Sequence, residues 1–592
     1  MRLGCVKYGM TAAGCLALAG CGGSGSGLNV TPPPVAGPVS APTPTNSTIT
    51  DLQASQSFAV DGATAGTAID LSAKTVISAN SAPSSIQVSY DASTRSYAVT
   101  TAGRTQTFLP TDAQAVTTTG ETRYQKSTAT GSDYLTLVTT PYSGTQSNRY
   151  VGLGYWQRNV LSGTTQNTSF DSFVYGLETP AAAMPRTGSA GYVTDNFGFV
   201  TIPGKAPLAF TGAGTFNIDL ALGTFVSTAN VYEYELTSAR AQSGGGIQLT
   251  AGGHLGSDNR FSGNMTYGDT YATMSGTIAG RFYGPGAEEL GASFSGDNGA
   301  GAAVTGSFTG RASSSVAPVN VSITNYVADQ LFYTSQAMLS IATMPSGTKA
   351  VNYRTLIGQV TRRADGSILF SPGESDFANA TFSASDQIAD PRPDFITYKK
   401  FVNGVTTTLS LFKPGPTNSE LALTYAGFGS WAGGAASGYN PFEGHVYFTY
   451  GIPTPRDLLS RRTGSASYAG VVHGLGAAND GTVFDIGGSS KFGVDFSAQN
   501  FNGSLQMSAT NTSGAGTRDL GTWTFADRMA SGQLITTNLL GPAGSTGALG
   551  TISPQLYGPD GEEIAAAFSL QTGTQGAPNT LSVVGATVAK RH

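Results

Sequence analysis

The sequence predicts an all-β protein made of two homologous lobes, and three observations lead to this prediction. Only 11% of the 592 residues are charged, against about a quarter in an average soluble domain. The 79 glycines occur together with abundant Ser, Thr and Ala, which is typical of short strands separated by turns. The third observation is an internal repeat, and a chain of this length also exceeds one ordinary domain.

The repeat relates the two halves of the chain. Eight motifs recur in the same order, at a nearly constant offset of 274 to 276 residues. Eight ordered matches at one spacing are hard to obtain by chance, so we interpret the chain as two homologous lobes. The matched pairs are Phe58 and Phe332, Asp91 and Asp365, 107–112 and 381–386, 150–156 and 425–431, 173–180 and 448–455, 188–192 and 464–468, Phe216 with Asp219 and Phe492 with Asp495, and 282–294 and 556–568.

Short alternating segments indicate the secondary structure. The segments "SIQVSYD", "RSYAVTT" and "GTFNIDLAL" alternate apolar and polar residues between turns of Gly, Asn, Asp and Ser, which predicts antiparallel strands. Strands at this spacing close into barrels or sandwiches. Modest helical periodicity occurs only at 329–344 and 455–462. We therefore expect nearly all of both lobes to be sheet.

Each lobe is divided further by its composition. Its opening part matches poorly between the copies, whereas its longer second part carries most of the shared motifs and the densest alternation of Gly with aromatic residues. We interpret the opening part as a small front domain and the second part as a β-barrel.

The N-terminus predicts export and lipid attachment. Arg2 and Lys7 form a basic start, 9–20 is mildly apolar and too short to span a membrane, and "LAGC" at 18–21 offers a small-residue cleavage site. This site resembles the lipobox of bacterial lipoproteins, which implies that Cys21 is the lipid-attachment residue. The alternative is plain secretory cleavage with a chance cysteine, which would leave a lone reactive thiol. All three cysteines lie in this segment: Cys5, Cys15 and Cys21.

The segment after Cys21 predicts a tether. Residues 22–48 combine a Gly/Ser lead with a Pro-rich spacer, and such a composition packs no core. Gly22 stands where lipoproteins retained in the inner membrane typically have Asp, so the resemblance to lipoproteins implies the outer membrane. With no cysteine after residue 21, the exported fold must be stable without disulfides.

The combination of motifs resembles the transferrin-binding protein B family of surface lipoproteins. Each lobe carries Tyr-x-Gly-x-Gly-x-Trp, Gly-Ser-Ala-x-Tyr, Phe-x-x-Asp and Tyr-Gly-Pro-x-x-Glu-Glu, in that order. The resemblance covers nearly all of the mature chain and is weakest at 359–377. It implies that each lobe is a small β-rich handle domain followed by an eight-stranded antiparallel β-barrel. It also implies capture of an iron-carrying protein at the cell surface for a neighbouring, TonB-dependent receptor.

The resemblance implies the fold and the location of the protein but not its ligand. Capture in the family depends on long variable loops of the first lobe, which look short here, and the disulfide-bearing insertions are missing. Transferrin is therefore not the favoured ligand, and the ligand-binding residues are left unassigned. The predicted segments are 1–20 for the signal peptide, 21–48 for the lipidated cysteine and tether, 49–135 for the handle and 136–313 for the barrel of lobe 1, and 317–405 for the handle and 406–590 for the barrel of lobe 2.

Two adjacent acidic residues, Glu288 and Glu289, invite a catalytic interpretation. Neighbours on a strand point to opposite faces, so two such carboxylates cannot share a substrate. The segment recurs around Glu562 and Glu563 with its Tyr-Gly-Pro turn. We therefore expect a barrel-building element in which one glutamate is solvated and the other bonds backbone or a basic group.

The remaining candidate residues also favour structural roles. Trp156 and Trp431 recur in both lobes, which favours filling of a barrel core over ligand contact, because a shared fold requires its core. Asp219 and Asp495 are expected to be solvated or bonded within turns. His473 lies in a strand with no Cys, Asp or Glu at a metal spacing. We expect no metal site and no cofactor.

Three classes of function follow from these features. The first is a surface lipoprotein that binds an iron- or nutrient-carrying protein or solute through flat loops at the barrel ends. The second is a structural or adhesive surface protein without a small ligand. The third, a hydrolase acting on glycans, needs a convergent carboxylate pair that the sequence does not reveal. No motif of a catalytic nucleophile or phosphate loop occurs, and a net charge of −5 without a basic block excludes nucleic acid as a partner. We therefore predict a non-enzymatic binding protein.

Overall fold

A computed structural model gives the fold. It describes residues 45–592 apart from 145, 239–245, 269–270, 375–376, 436–441, 460–461, 515, 575–576 and 578. Within these ranges the elements are strands, with three 3-10 turns and one α-helix of four residues. No helix in this part of the chain is long and apolar enough to cross a membrane. Residues 1–44, with the predicted signal peptide, Cys21 and most of the tether, lie outside the described residues.

Two sheets form the handle of lobe 1. One has four strands in the order β1-β4-β5-β6, and the other has seven in the order β3-β2-β11-β10-β9-β8-β7. Aromatic and aliphatic side chains pack between them, including Phe58 and Phe108 from the first sheet and Trp156 and Phe173 from the second. The strands are β1 (Gln56–Phe58), β2 (Asp61–Asp70), β3 (Thr75–Ser84), β4 (Gln87–Asp91), β5 (Ser96–Thr101), β6 (Arg104–Phe108), β7 (Ala113–Gln114), β8 (Glu121–Thr128), β9 (Gly131–Val138), β10 (Val151–Ser162) and β11 (Thr165–Gly176).

A closed antiparallel barrel of eight strands completes lobe 1. Its interior is filled by aromatic rings; those of Phe216 and Phe225 stack with centroids 4.8 Å apart, and Phe261 lies 5.0 Å from Phe216. The barrel is therefore a packed core with no open channel at this level. The strands are β12 (Ser189–Thr201), β13 (Leu208–Asp219), β14 (Thr224–Glu235), β15 (Ile247–Leu255), β16 (Arg260–Gly268), β17 (Thr273–Tyr283), β18 (Glu289–Asp297) and β19 (Ala303–Ala312).

Lobe 2 repeats this plan with one simplification. Its handle is a single nine-stranded sheet, β23-β22-β21-β20-β28-β27-β26-β25-β24, because two long strands replace four: β20 takes the place of β1 and β2, and β21 that of β3 and the start of β4. The handle strands are β20 (Gln330–Thr343), β21 (Lys349–Arg362), β22 (Ile368–Ser371), β23 (Ala380–Phe382), β24 (Gln387–Ile388), β25 (Phe395–Val402), β26 (Val405–Phe412), β27 (Ala426–Ala435) and β28 (Phe442–Gly451).

The second closed barrel follows the short helix α1 (Arg456–Leu459). Phe492 and Phe525 pack inside it with ring centroids 5.3 Å apart, and Trp523 is also buried there. The prediction of two homologous lobes, each ending in an eight-stranded antiparallel barrel, is confirmed. The strands are β29 (Ser465–Ala478), β30 (Val483–Asp495), β31 (Asn500–Asn511), β32 (Thr517–Arg528), β33 (Thr537–Leu540), β34 (Leu549–Tyr557), β35 (Glu563–Gln571) and β36 (Leu581–Arg591).

The predicted boundary between handle and barrel is wrong in both lobes. The barrels begin at Ser189 and Ser465, not at 136 and 406, because β9–β11 and β26–β28 pair into the handle sheets. The Gly and aromatic alternation that indicated a barrel has another cause. A Cβ at Gly154 would lie 2.3 Å from the Phe173 ring, so glycine admits the aromatic side chain of the paired strand. This constraint is the same in a packed sheet and in a barrel.

The helical periodicity is misleading at 329–344. These residues form β20, which pairs with β21 on one side and β28 on the other. The apolar run is buried on both faces of a central strand, for example at Ala337, Met338 and Leu339, and such a run cannot be told from a buried helix by periodicity. At 455–462 the expectation of a helix is confirmed for α1 alone.

A buried glutamate joins each barrel to its handle. Glu289, at the start of β18, is 2% exposed. Its Oε1 accepts the N–H of Arg149 at 2.8 Å, and its Oε2 accepts those of Tyr150 and Val151 at 2.8 and 3.0 Å. The carboxylate thus satisfies three consecutive N–H groups where β10 begins, between the two halves of the lobe.

Glu563 makes the same contacts in lobe 2. It accepts the N–H groups of Thr424, Tyr425 and Ala426 at 2.7, 2.8 and 2.8 Å. Burial raises the pKa of Glu563 above its ordinary value, against the opposing effect of these N–H donors and of the Lys590 ammonium. The recurrence of the whole arrangement explains why the Tyr-Gly-Pro-x-x-Glu-Glu segment occurs twice.

The preceding glutamates are separated from this buried site. Glu288 is exposed and accepts the N–H of Gly286 at 2.8 Å, which closes the turn. Gly284 adopts a φ of +86° and lies against Tyr150, so a side chain there would be strained and would clash. The expectation that Glu288 and Glu289 do not act together is confirmed.

We predict that Glu289→Gln loosens the junction of lobe 1 and leaves lobe 2 unchanged. The amide places an NH₂ group against N–H donors, which leaves buried groups unsatisfied at a cost of about 2–4 kcal/mol. Hydrogen–deuterium exchange at 149–151 should accelerate, while exchange at 424–426 serves as an internal control. Glu288→Gln, at the neighbouring exposed site, should have little effect. Unchanged protection at 149–151 would contradict the role assigned to Glu289.

Candidate ligand-binding surface

The two tryptophans singled out from the sequence are core residues. Trp156 and Trp431 are 1% and 2% exposed and lie in the handles, not in the barrels as expected. The Trp156 indole N–H donates to Asp133 at 3.0 Å, and the Arg104 guanidinium lies 3.7 Å from the centre of its ring. Neither tryptophan is available as a contact for a protein ligand.

The aspartates and histidines of the repeat hold local structure. Asp219 accepts the N–H groups of Ala221 and Leu222, both at 3.0 Å, which confirms the prediction of a turn-bonded carboxylate. The histidines at 254, 445 and 473 each face one glutamate, respectively Glu562, Glu443 and Glu420. Among the described residues, no group of three or more His, Cys, Asp and Glu is placed to hold a metal ion.

Two pairs of carboxylates do converge, and the sequence did not reveal them. Asp61 and Glu178 both contact the buried Arg281 at 2.7 Å. Both carboxylates are occupied by the Arg281 guanidinium, which is 2% exposed, whereas glycoside hydrolysis needs two carboxyl groups that flank a bound sugar. Asp133 and Asp171 converge in the same way on Arg104. The geometry therefore gives no support to the hydrolase interpretation.

One end of lobe 1 carries a cluster of exposed large side chains that these structural roles do not explain. We call it the distal face, and it surrounds the end of the barrel where the 202–207 loop lies. Its exposed fractions are large for apolar and aromatic residues: Ile77 52%, Tyr232 57%, Tyr234 39%, Leu236 54% and Tyr271 58%.

Specific contacts hold the distal face together. The Val76 N–H donates to Lys205 O at 2.8 Å, which ties the handle to the 202–207 loop. The Lys205 ammonium lies 4.5 Å from the centre of the Tyr271 ring, and the Leu236 N–H donates to Pro207 O at 3.0 Å. Handle, loop and strand end therefore form one continuous surface.

The strand pattern places the two tyrosines of β14 on the outside. Val231 and Glu233 are buried, and side chains alternate along a strand. Tyr232 and Tyr234 consequently stand on the outer wall, beside Thr211 and Ala209 of β13 in the ladder. Their exposure follows from the alternation and is not a local irregularity.

Lobe 2 has no counterpart to these tyrosines. Phe216 and Asp219 correspond to Phe492 and Asp495, so Tyr232 and Tyr234 correspond to Ser508 and Thr510, and Leu236 to Thr512. The two barrels share one fold, so the exposed aromatic residues of lobe 1 are not a requirement of that fold. The signal was present in the sequence, in "VYEYEL" against "MSATNT", as a difference between the copies.

Comparison with known proteins supports the identity of the barrel. Residues 211–312 match the family model described as the C-lobe and N-lobe beta barrels of Tf-binding protein B. The match covers most of the lobe 1 barrel, and it confirms the resemblance drawn from the repeated motifs. No curated protein matches the chain.

Several solved structures are similar to the chain at low sequence identity. A double mutant of transferrin binding protein B from Haemophilus parasuis Hp5 is 16% identical, with 77% of this chain and 85% of that chain covered and a TM-score of 0.27. Intact Ap-TbpB, with N and C lobes, is 17% identical over 76% and 86%, with a TM-score of 0.26. The isotype 1 protein from serogroup B Neisseria meningitidis is 17% identical over 77% and 89%, with a TM-score of 0.25.

We predict a pH-dependent contribution from Asp390 in the handle of lobe 2. Hydrogen bonds from Arg392 and Thr397 hold the pKa of the Asp390 carboxyl below its ordinary value of 3.8. A lowered pKa in the folded state stabilises the fold above the ordinary pKa, and this contribution is lost as the pH falls through the folded-state value. Asp390→Asn should therefore lower the free energy of unfolding at pH 7, and by less below about pH 4. Denaturant unfolding of both proteins from pH 3 to 7 measures the difference, and a constant difference would contradict the assignment.

Proposed function

We propose that the protein is a lipid-anchored protein of the outer membrane that captures an iron- or nutrient-carrying protein or solute at the cell surface. In this proposal the captured ligand passes to a TonB-dependent receptor in the same membrane. The observation that carries the proposal is the distal face of lobe 1, which exposes tyrosines where lobe 2 has Ser508 and Thr510. The match of 211–312 to barrels of Tf-binding protein B supports a binding role over an enzymatic one.

The chemistry of the distal face suits a protein ligand. Tyrosine offers a large contact area with only two side-chain torsions to fix, and it is enriched where interfaces concentrate their binding energy. Tyr232, Tyr234 and Tyr271 each combine an apolar ring with a hydroxyl group that can bond a partner. Lys205 beside Tyr271 adds one positive charge. The exposed side chains of this face can contact the surface of another protein directly, because such contacts do not require an enclosed cavity.

We propose that lipid on Cys21, which lies outside the described residues, anchors the protein to the membrane. Two acyl chains on Cys21 would hold the protein to a membrane at about 0.8 kcal/mol per buried CH₂ group. The described chain begins at residue 45, and Asn46 accepts the N–H groups of Gln53 and Ala54, both at 2.8 Å. Residues 45–48, the last four of the predicted tether, therefore belong to the described structure.

We predict that giving lobe 1 the residues of lobe 2 abolishes capture. The purified protein from residue 22 onward, without lipid, is immobilised and exposed to transferrin, a haem protein and a ferric chelate, and then to culture medium from iron-starved cells. The double variant Tyr232→Ser with Tyr234→Thr should weaken retention of the captured species at least about tenfold, since two buried tyrosine contacts each contribute more than about 1 kcal/mol.

The control is an exposed aromatic residue elsewhere. Phe401 in lobe 2 is 71% exposed, so Phe401→Ser removes a comparable ring without touching the distal face and should leave retention unchanged. Failure of the unaltered protein to retain any of these species would overturn the capture proposal. Equal retention by the double variant would show that the distal face does not bind the captured species.

We predict that Cys21 alone carries lipid. Cys21→Ser should abolish incorporation of a clickable palmitate and move the protein to the soluble fraction, whereas Cys15→Ser should change neither. Intact cells treated with an added protease then report the side of the membrane. Protection of the protein until the outer membrane is broken would contradict exposure at the cell surface.

A further inference from the structure

A groove that runs from the interface of the two lobes into lobe 2 has the composition of a small-molecule site. It consists of two adjoining cavities of about 820 and 660 Å³ that share Tyr333 and Gln555 in their linings. We call the whole the interlobe groove. Each volume is within the range of about 300–1,000 Å³ for ligand pockets, which occur preferentially where domains meet.

The lining of the interlobe groove is free of charged side chains. Among the described residues that line either cavity, there is no Asp, Glu, Lys, Arg or His. The Arg456 guanidinium donates to Gln533 Oε1 at the edge of the larger cavity. An adjoining cavity shares Thr454 and Leu459 with the larger one and contains Arg462 and Asp560, which are paired with each other at 3.3 Å. Because a charge buried without a partner is costly, the lining selects against charged ligands.

Polarity differs between the two cavities. The smaller cavity lies against lobe 1 and is mostly apolar, with Val226 of the first barrel and Ile452 and Leu458 of lobe 2 in its lining. The larger cavity lies between the handle and barrel of lobe 2 and is rich in hydroxyl and carboxamide groups. These groups belong to Ser335, Thr355, Gln533, Thr536, Ser553 and Gln555. A ligand spanning both cavities would place an apolar part in one and a hydrogen-bonding part in the other.

Exposed apolar side chains between the cavities are not explained by the fold. Tyr333 and Ile357 are 71% and 76% exposed, and Leu331 is 43% exposed. Phe332 corresponds to Phe58 in the repeat, so Leu331 and Tyr333 correspond to Ser57 and Ala59. Lobe 1 thus folds with small residues at both positions, and lobe 2 has gained large apolar ones where the groove lies.

Contacts between the lobes keep the walls of the groove in place. The Thr224 and Tyr425 hydroxyl groups are 2.8 Å apart and buried, and His254 Nε2 lies 2.8 Å from Glu562 Oε1. Thr224 itself lines the groove. A cavity with fixed walls costs little reorganisation on binding, so the site is present before the ligand arrives.

We infer that the interlobe groove binds an uncharged amphipathic small molecule, with its apolar part between the lobes and a hydroxyl-bearing part against lobe 2. The uncharged lining, the change in polarity and the volume together favour a small uncharged molecule over an ionic ligand. This site shares no residue with the distal face of lobe 1. Its failure and the failure of the proposed capture function are therefore separate outcomes.

The first experiment measures binding of n-octyl β-D-glucoside, below its micelle concentration, to the lipid-free protein by titration calorimetry. Octyl sulfate and octyltrimethylammonium carry the same alkyl chain with a negative and a positive head. We expect saturable 1:1 binding of the glucoside and at least tenfold weaker binding of both charged compounds. Absence of saturable glucoside binding, or equal binding of the charged compounds, would overturn the inference.

The second experiment locates the bound molecule. Leu331→Asp introduces a charge into the groove at an exposed position, and it should weaken glucoside binding at least tenfold. Phe401→Asp makes a matched change at an exposed apolar residue outside the groove and should leave binding within twofold of the unaltered protein. If both variants lost affinity for the glucoside, or if Leu331→Asp kept its affinity, the glucoside would bind elsewhere and the assignment would be overturned.

Discussion

The arrangement of each lobe depends on one buried carboxylate at the junction of barrel and handle. Where β10 begins, three consecutive N–H groups point into the junction, and Val151 among them is fully buried. Without an acceptor these groups would each carry the cost of an unmade hydrogen bond. Glu289, the first residue of β18, supplies the acceptor. The start of the barrel strand β18 is thereby hydrogen-bonded directly to the start of the handle strand β10. Apolar packing between barrel and sheet is non-directional, whereas this contact fixes their register.

The internal repeat predicted that the Tyr-Gly-Pro-x-x-Glu-Glu segment forms the same structure in both lobes, but it did not predict which N–H groups Glu289 binds. The sequence placed the Tyr-Gly-Pro-x-x-Glu-Glu segment in both lobes and separated Glu288 from Glu289 by strand alternation. The partners of Glu289 lie about 140 residues earlier in the chain, and no local pattern connects positions so far apart. The same limit explains the misplaced domain boundaries. Gly152 and Gly154 alternate with aromatic residues because of their cross-strand partners, and pairing partners decide whether such strands close into a barrel.

The duplication also separates structure from function. A residue present in both copies is accounted for by the shared fold, as with Trp156 and Trp431. A residue present in one copy only requires another reason, as with Tyr232 and Tyr234 of the distal face and Leu331 and Tyr333 of the interlobe groove. This comparison could have been drawn from the sequence once the copies were aligned. What the sequence could not supply was which of the many unshared residues lie together and remain exposed.

The second copy of the turn shows how a shared element acquires an additional contact. In lobe 1 the turn ahead of Glu289 contains Gly286 and bonds within itself. In lobe 2 the corresponding position is Asp560, whose carboxylate contacts Arg462 and Arg591, and Glu562 reaches His254 of the first barrel. The segment that closes the second lobe therefore also faces the first. Since the interlobe groove lies beside this contact, with Pro559 in its lining, the element that builds the fold also determines where the lobes leave space.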